Sequence, residues 1–134
     1  MLRNLCLVGL VLSFAFAPAA AHAAVANSPS QNEVPLPVSD VFIPSGFDSG
    51  SDVYVVLNGY FPNTCYSYKD AQINHLSASE HEVRSMALVR PGMCLMVMLP
   101  YTQEVQLGRF DRGDHTLRFL NGDGTFIEKH LKVE

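Results

Sequence analysis

Hydrophobic positions along this chain recur every second residue, in short runs broken by turn-forming residues. From residue 38 onward the runs read "VSDVFI" (38–43), "VYVVLNG" (53–59), "TCYSYKDAQINH" (64–75), "EVRSMALV" (82–89), "CLMVML" (94–99), "EVQLGRF" (104–110), "HTLRFLN" (115–121) and "TFIEKHLKV" (125–133). They are rich in β-branched and aromatic residues, and Gly, Pro, Asn, Asp and Ser punctuate them. Such runs read as β-strands. In the last of them Phe126, Glu128, His130 and Lys132 alternate with Ile127, Lys129, Leu131 and Val133, so the second set faces a core. Val83, Ser85 and Ala87 oppose Arg84, Met86 and Leu88 in the same way. Asn121-Gly122-Asp123-Gly124 is the strongest hairpin signal, because Asn and Gly tolerate the positive φ of primed turns. Asp111-Arg112-Gly113-Asp114 marks a second turn.

No segment has the length and periodicity of an amphipathic helix. Seven or eight short strands predict an all-β fold, an antiparallel, immunoglobulin-like β-sandwich, with a small barrel as the structural alternative. Val55, Leu57, Met96, Met98, Leu117, Phe119 and Ile127 are the expected core. No internal repeat is visible.

The run "MCLMVML" is ambiguous, since a strand there places Cys94, Met96 and Met98 on one face and Leu95, Val97 and Leu99 on the other. Both faces are apolar. Packed inward, Met96 and Met98 line the core as flexible gap-fillers, and the opposite face requires a cover, either the preceding chain or a partner. Facing solvent, they offer two soft thioether ligands to Cu(I), with a histidine such as His75 or His81 as a third. Core packing is the expected state. The rival is a periplasmic copper-binding protein, and exposure of the methionines discriminates the two.

The first residues change the picture of compartment. Arg3 precedes an apolar run from Leu5 to Phe16 and a small-residue stretch ending Ala21-His22-Ala23, the pattern of a secretory signal cut after Ala23. Pro18 interrupts the run, which falls short of the roughly 20 apolar residues of a membrane span. Cys6 lies at the start of that run, away from any lipoprotein processing position. The expected organisation is a signal peptide over 1–23, a flexible or extended lead-in over 24–37 and one β-sandwich domain over 38–134. Loss of the leader removes Cys6 and leaves Cys65 and Cys94, which in an oxidising compartment read as one disulfide. The protein is expected to be periplasmic or secreted and free of the membrane after cleavage.

Loss of Arg3 with the leader leaves eight basic against thirteen acidic residues, a formal charge of −5. Without a basic face, nucleic acid is not an expected partner. A protein partner or self-association is.

The segments "GYFPNTCYSY", "RPGMCLMVMLPYTQEVQLG" and "RGDHTLRFLNGDGTF" resemble small exported bacterial β-sandwich proteins with a G-Y-x-P-x-x-C opening, a second cysteine before an apolar strand ending in proline and an aromatic, and a G-x-[aromatic]-T turn. The likeness spans residues 53–133, and His115 stands where such turns more often carry tyrosine. It implies fold and export and carries no catalytic residues.

The remaining chemistry is sparse. His75 and His81 sit six apart in "NHLSASEHE" with Glu80 and Glu82, but Ser77-Ala78-Ser79 suggests a solvated loop, and no H-x-x-x-H or C-x-x-C supports zinc. Arg112-Gly113-Asp114 is an adhesion tripeptide that turn chemistry already explains. Asn121–Gly124 lacks the oxygens and terminal Glu of an EF-hand loop. Asp48 and Asp52 in the loop "FDSGSD" could form a carboxylate pair, but a glycine- and serine-rich loop with flanking acids is usually just solvated. No G-x-S-x-G elbow occurs, and oxidised cysteines are unavailable as nucleophiles. No catalytic residue, cofactor or metal is expected. The function indicated is a non-catalytic binding or structural module, recognising its ligand through the polar loops 45–52 and 77–82, or a small enzyme inhibitor built on the same stapled sandwich.

Overall fold

The two-residue alternation becomes eight strands: β1 Asn32–Pro35, β2 Asp40–Phe42, β3 Asp52–Phe61, β4 Tyr66–His75, β5 Glu80–Val89, β6 Leu99–Arg109, β7 Gly113–Leu120 and β8 Phe126–Val133. This computed structural model describes residues 31–134; the expected signal peptide and residues 24–30 lie outside the described residues. A five-stranded sheet contains β4, β5, β1, β7 and β8, and a three-stranded sheet has the order β2-β3-β6. Strand β5 is the hub of the larger sheet. β4 pairs along one of its edges, while β7 beside residues 80–84 and β1 beside residues 86–89 share the other. The protein is an all-β sandwich.

The inner faces follow the parity read from sequence. Val53, Val55 and Leu57 of β3 and Val105 and Leu107 of β6 oppose Val83 and Ala87 of β5, Leu117 and Phe119 of β7, and Leu131 and Val133 of β8. Val55, Leu57, Leu117 and Phe119 are fully buried as expected, and Ile127 packs half-buried against them. Each fully buried aliphatic or aromatic side chain contributes about 1.5–3 kcal/mol relative to exposure. The Asn121–Gly124 hairpin joins β7 to β8: Asn121 N–H donates to the Thr125 carbonyl at 3.0 Å, and Asp123 Oδ1 accepts from Thr125 N–H at 2.9 Å.

Three expectations are corrected. Pairing is not wholly antiparallel, because β5 and β7 run parallel. The intervening strand, β6, belongs to the other sheet, so the chain returns to the larger sheet in its original direction. The segment expected as a lead-in over 24–37 is paired over Asn32–Pro35, and behind it Leu36 is fully buried, with its N–H donated to the Ser85 carbonyl at 2.8 Å. The largest correction concerns the methionine run. Residues 93–98 form no strand; they belong to the crossover from β5 to β6 between the sheets. Met96 is 83% and Met98 65% exposed, so neither is core. Pro91 and Gly92, the latter with φ +122°, stop β5, and both inner faces are already filled by the alternating strands.

The crossover is tied to residues 64 and 65. Cys94 is disulfide-bonded to Cys65, the residue just before β4, with Cα atoms 5.4 Å apart. Beside it, Leu95 N–H donates to Thr64 Oγ1 at 2.9 Å and the Leu95 carbonyl accepts from Thr64 N–H at 3.2 Å. Val97 N–H folds back on the same carbonyl at 2.9 Å.

Near the start of β6 the constraint is a tyrosine. The Tyr101 ring lies over Gly59, where an added Cβ would come within 2.6 Å of it, and stacks on Phe61 at 4.9 Å. Its hydroxyl donates to the Pro37 carbonyl at 2.7 Å, tying the β1–β2 linker down. Burial, with a smaller contribution from Tyr68, pushes the phenol up to about 12 from 10.0.

Two outcomes follow from these contacts. Cys65→Ser should lower stability by about 3–4 kcal/mol under oxidising conditions, the chain-entropy value for a sequence separation of 29; an unchanged melting temperature would show that the hydrogen bonds alone hold the crossover. For Tyr101 the unfolded chain ionises near 10.0 and the folded protein about 12, so the stabilisation is intact below pH 10.0 and is lost as pH rises toward 12. Denaturant melts at pH 9 and pH 11 should show this loss in the natural protein and a smaller one in Tyr101→Phe.

Candidate functional site

Three of the histidines lie side by side at one end of the core. The β4–β5 hairpin closes through residues 76–79, with Leu76 N–H and Ser77 N–H both donating to the Glu80 carbonyl, and sets His75 opposite His81 in register. Ser77-Ala78-Ser79 lies in the loop read from the sequence, and that loop itself brings the two histidines together. His115 reaches the same place from β7, the parallel neighbour of β5. His81 and His115 are each only 4% exposed, while His75 is at the surface.

The three rings form a hydrogen-bonded chain. His75 Nδ1 lies 2.7 Å from His81 Nδ1, His81 Nε2 lies 3.0 Å from His115 Nδ1, and His115 Nε2 lies 2.7 Å from the Asp111 carbonyl oxygen. A carbonyl only accepts, so His115 carries its proton on Nε2 and, when neutral, accepts on Nδ1. His81 then donates from Nε2 and accepts on Nδ1, and His75 donates from Nδ1. This network assigns one tautomer to each neutral ring. Phe110, at the end of β6, stacks on His81 at 4.5 Å and closes the row from the side of the smaller sheet. Burial first, then the nearby charges of His75 and His115, hold the His81 imidazole below its ordinary range, so it is kept neutral. A cleft of about 240 Å³ opens onto the row, lined also by Ser77, Arg109 and Asp111.

The opposite end carries the exposed crossover. Met93, Leu95, Met96, Val97, Met98 and Leu99 are all exposed, as is the neighbouring Tyr60 of β3. Between Met98, Tyr60, Tyr66, Pro62, Pro35 and Pro37 lies an apolar cleft of about 440 Å³. This end is a full strand away from the histidines, since Cys65 precedes β4 and His75 ends it, roughly 30 Å at about 3.4 Å per residue. His75 and His81 therefore cannot join Met96 and Met98 around one ion. Among the described residues no three His, Cys, Asp or Glu side chains converge as a metal-binding group.

The other singled-out residues have structural partners. Asp48 Oδ1 accepts from Ser51 Oγ at 2.8 Å and Gly50 N–H at 2.9 Å, and these bonds, Ser51's first, lower its pKa. Asp52 faces Arg109 at 3.6 Å, so Asp48 and Asp52 each have a partner of their own. Gly113 of the Arg112-Gly113-Asp114 tripeptide, with φ +136°, leads into β7. Asn121 also reaches beyond its turn, its Oδ1 accepting from Val38 N–H at 2.9 Å.

The architecture defines a disulfide-bonded β-sandwich domain with a polar row at one end and an apolar crossover at the other. The family model described as the ORF11 beta-sandwich domain matches residues 55–129, more than half of the chain, and the protein belongs to that family. The matched span contains both cysteines, the crossover and all three histidines of the row. No curated protein and no solved structure matches the chain.

Sequence reasoning singled out His75 and His81 as a pair but not the row. The available signal was parity: His81 and His115 occupy inward positions of alternating strands, in series with Val83 and with Leu117 and Phe119. His81→Ala should cost about 1–3 kcal/mol, because it removes the donor to buried His115 Nδ1. His75→Ala, at the exposed end, should cost less than about 1 kcal/mol. Equal losses in urea melts of the two variants would contradict the burial difference.

Proposed function

We propose that the protein is an exported, non-catalytic binding module whose recognition surface is the crossover 93–99 with the adjoining cleft. The observation that carries this reading is six exposed large hydrophobics on one short segment that a disulfide and two Thr64–Leu95 hydrogen bonds hold in place. Contiguous apolar patches on soluble domains mark interaction sites. Methionine and tyrosine suit protein interfaces, and a pre-ordered segment loses little entropy on docking. The cleft lined by Tyr60, Tyr66 and prolines accepts an apolar side chain of the partner. The partner is accordingly a protein with an exposed apolar segment.

Support for export comes from the leader-like residues 1–23 and from the Cys65–Cys94 disulfide, which persists in oxidising compartments. Among the described residues no helix is long and apolar enough to cross a membrane. Exposure of Met96 and Met98 also meets the structural requirement of the copper reading, but that reading has lost His75 and His81 as its third ligand.

The test places a photo-crosslinking amino acid at Met96, or at exposed Glu104 on β6 as the control, in the producing cells. A discrete adduct from position 96 alone, lost on adding Leu95→Ser and Met98→Ser with melting temperature within about 2 °C of the parent, is the expected result. Equal labelling from both positions, or none from position 96, would remove the crossover from the function.

A further inference from the structure

The histidine row has features that a core packing role does not require. Two imidazole nitrogens, His75 Nδ1 and His81 Nδ1, face one another at 2.7 Å beside a cleft open to solvent. The outer ring is exposed, whereas the inner one is held by stacking on Phe110 and by its hydrogen bond to His115. His115 is fixed in turn by the Asp111 carbonyl. A histidine that ligates a metal through one nitrogen typically donates the other N–H to an acceptor, which sets its tautomer and raises its basicity. His81 already has that arrangement: Nε2–H is given to His115, and the Nδ1 lone pair points toward His75.

We propose that His75 and His81 bind one divalent transition-metal ion of borderline softness, of the Zn²⁺, Ni²⁺ and Cu²⁺ class, through their Nδ1 atoms, with His115 as the positioning residue behind His81. Two ligands at about 2.0–2.1 Å in tetrahedral array stand about 3.3 Å apart, so the pair must open by about 0.6 Å. Rotation of exposed His75 supplies this. His75 exchanges its Nδ1 proton for one on Nε2 through solvent, so both facing nitrogens present lone pairs and no net proton is released from the neutral pair. His115 stays outside the coordination sphere, because its partner on His81 is the far nitrogen, Nε2. Water from the cleft completes the shell. The site is independent of the crossover surface, which lies at the other end of the sandwich.

The test is a Zn²⁺ titration of untagged, metal-free protein against a chromophoric chelator, with Cu²⁺ paramagnetic resonance as a second readout. Expected are one ion per chain at a dissociation constant of about 10 µM or tighter, nitrogen hyperfine structure from two imidazoles, and loss of both in His75→Ala, whose exposed side chain is dispensable for folding. His115→Leu should weaken binding about 10–100-fold, while His115→Gln, which keeps an acceptor, should restore most of it. Absence of stoichiometric binding, or binding unchanged in His75→Ala, would overturn the site. Equal affinity in natural protein and His115→Leu, with the melt showing both folded, would overturn the role given to His115.

Discussion

The tether between Cys65 and Cys94 is the contact on which the arrangement of this sandwich depends. A chain that leaves one sheet and enters the other must pass around the edge of the core, and here it does so with an apolar segment. Free to move, such a segment would fold onto any apolar surface within reach. The disulfide fixes it just before β4, Thr64 holds its backbone polar groups, and Tyr101 locks the following strand over Gly59. Methionines that composition assigns to the interior are thus kept at the surface by covalent and hydrogen-bonded geometry. Local constraint outweighs the roughly 25 cal/mol per Å² that their burial would return.

The other end of the sandwich solves the converse problem. Polar rings occupy inward positions between β4, β5 and β7, where unpaired nitrogens would each be costly. The row satisfies the facing nitrogens by passing each donor to the next ring and ending on a backbone carbonyl. Phe110 from the smaller sheet covers it. The two ends therefore differ in chemistry as well as position, one apolar and pinned, the other polar with an exposed outer ring at a solvent cleft.

Much of the fold was legible because sheets impose a strict two-residue period on any strand with one buried face. Val55, Leu57, Leu117 and Phe119 were found by parity, the β7–β8 hairpin by Asn121-Gly122-Asp123-Gly124, and the disulfide by cysteine number once the leader was set aside. The run 93–98 was misread because an unbroken apolar stretch has no parity and is compatible with a strand or with anything else. Strand β1 was missed because it is short and lies within a stretch rich in small, polar and proline residues; it docks because β7 leaves half of one edge of β5 unpaired. The histidine row depends on register across three strands, one pair of them parallel, and no local pattern encodes that. Belonging to the ORF11 beta-sandwich family supports the domain architecture and leaves its use to be read from the two ends.

The central claim is that the methionine-rich crossover is an ordered surface. Methyl-labelled methionine spectra recorded with a soluble paramagnetic probe test it directly. The account predicts sharp, dispersed Met93, Met96 and Met98 methyl signals that the probe attenuates strongly, while Met86 of β5, half-buried, is attenuated less. Protection of Met96 and Met98 to the level of Met86 would return the crossover to the core and contradict the account.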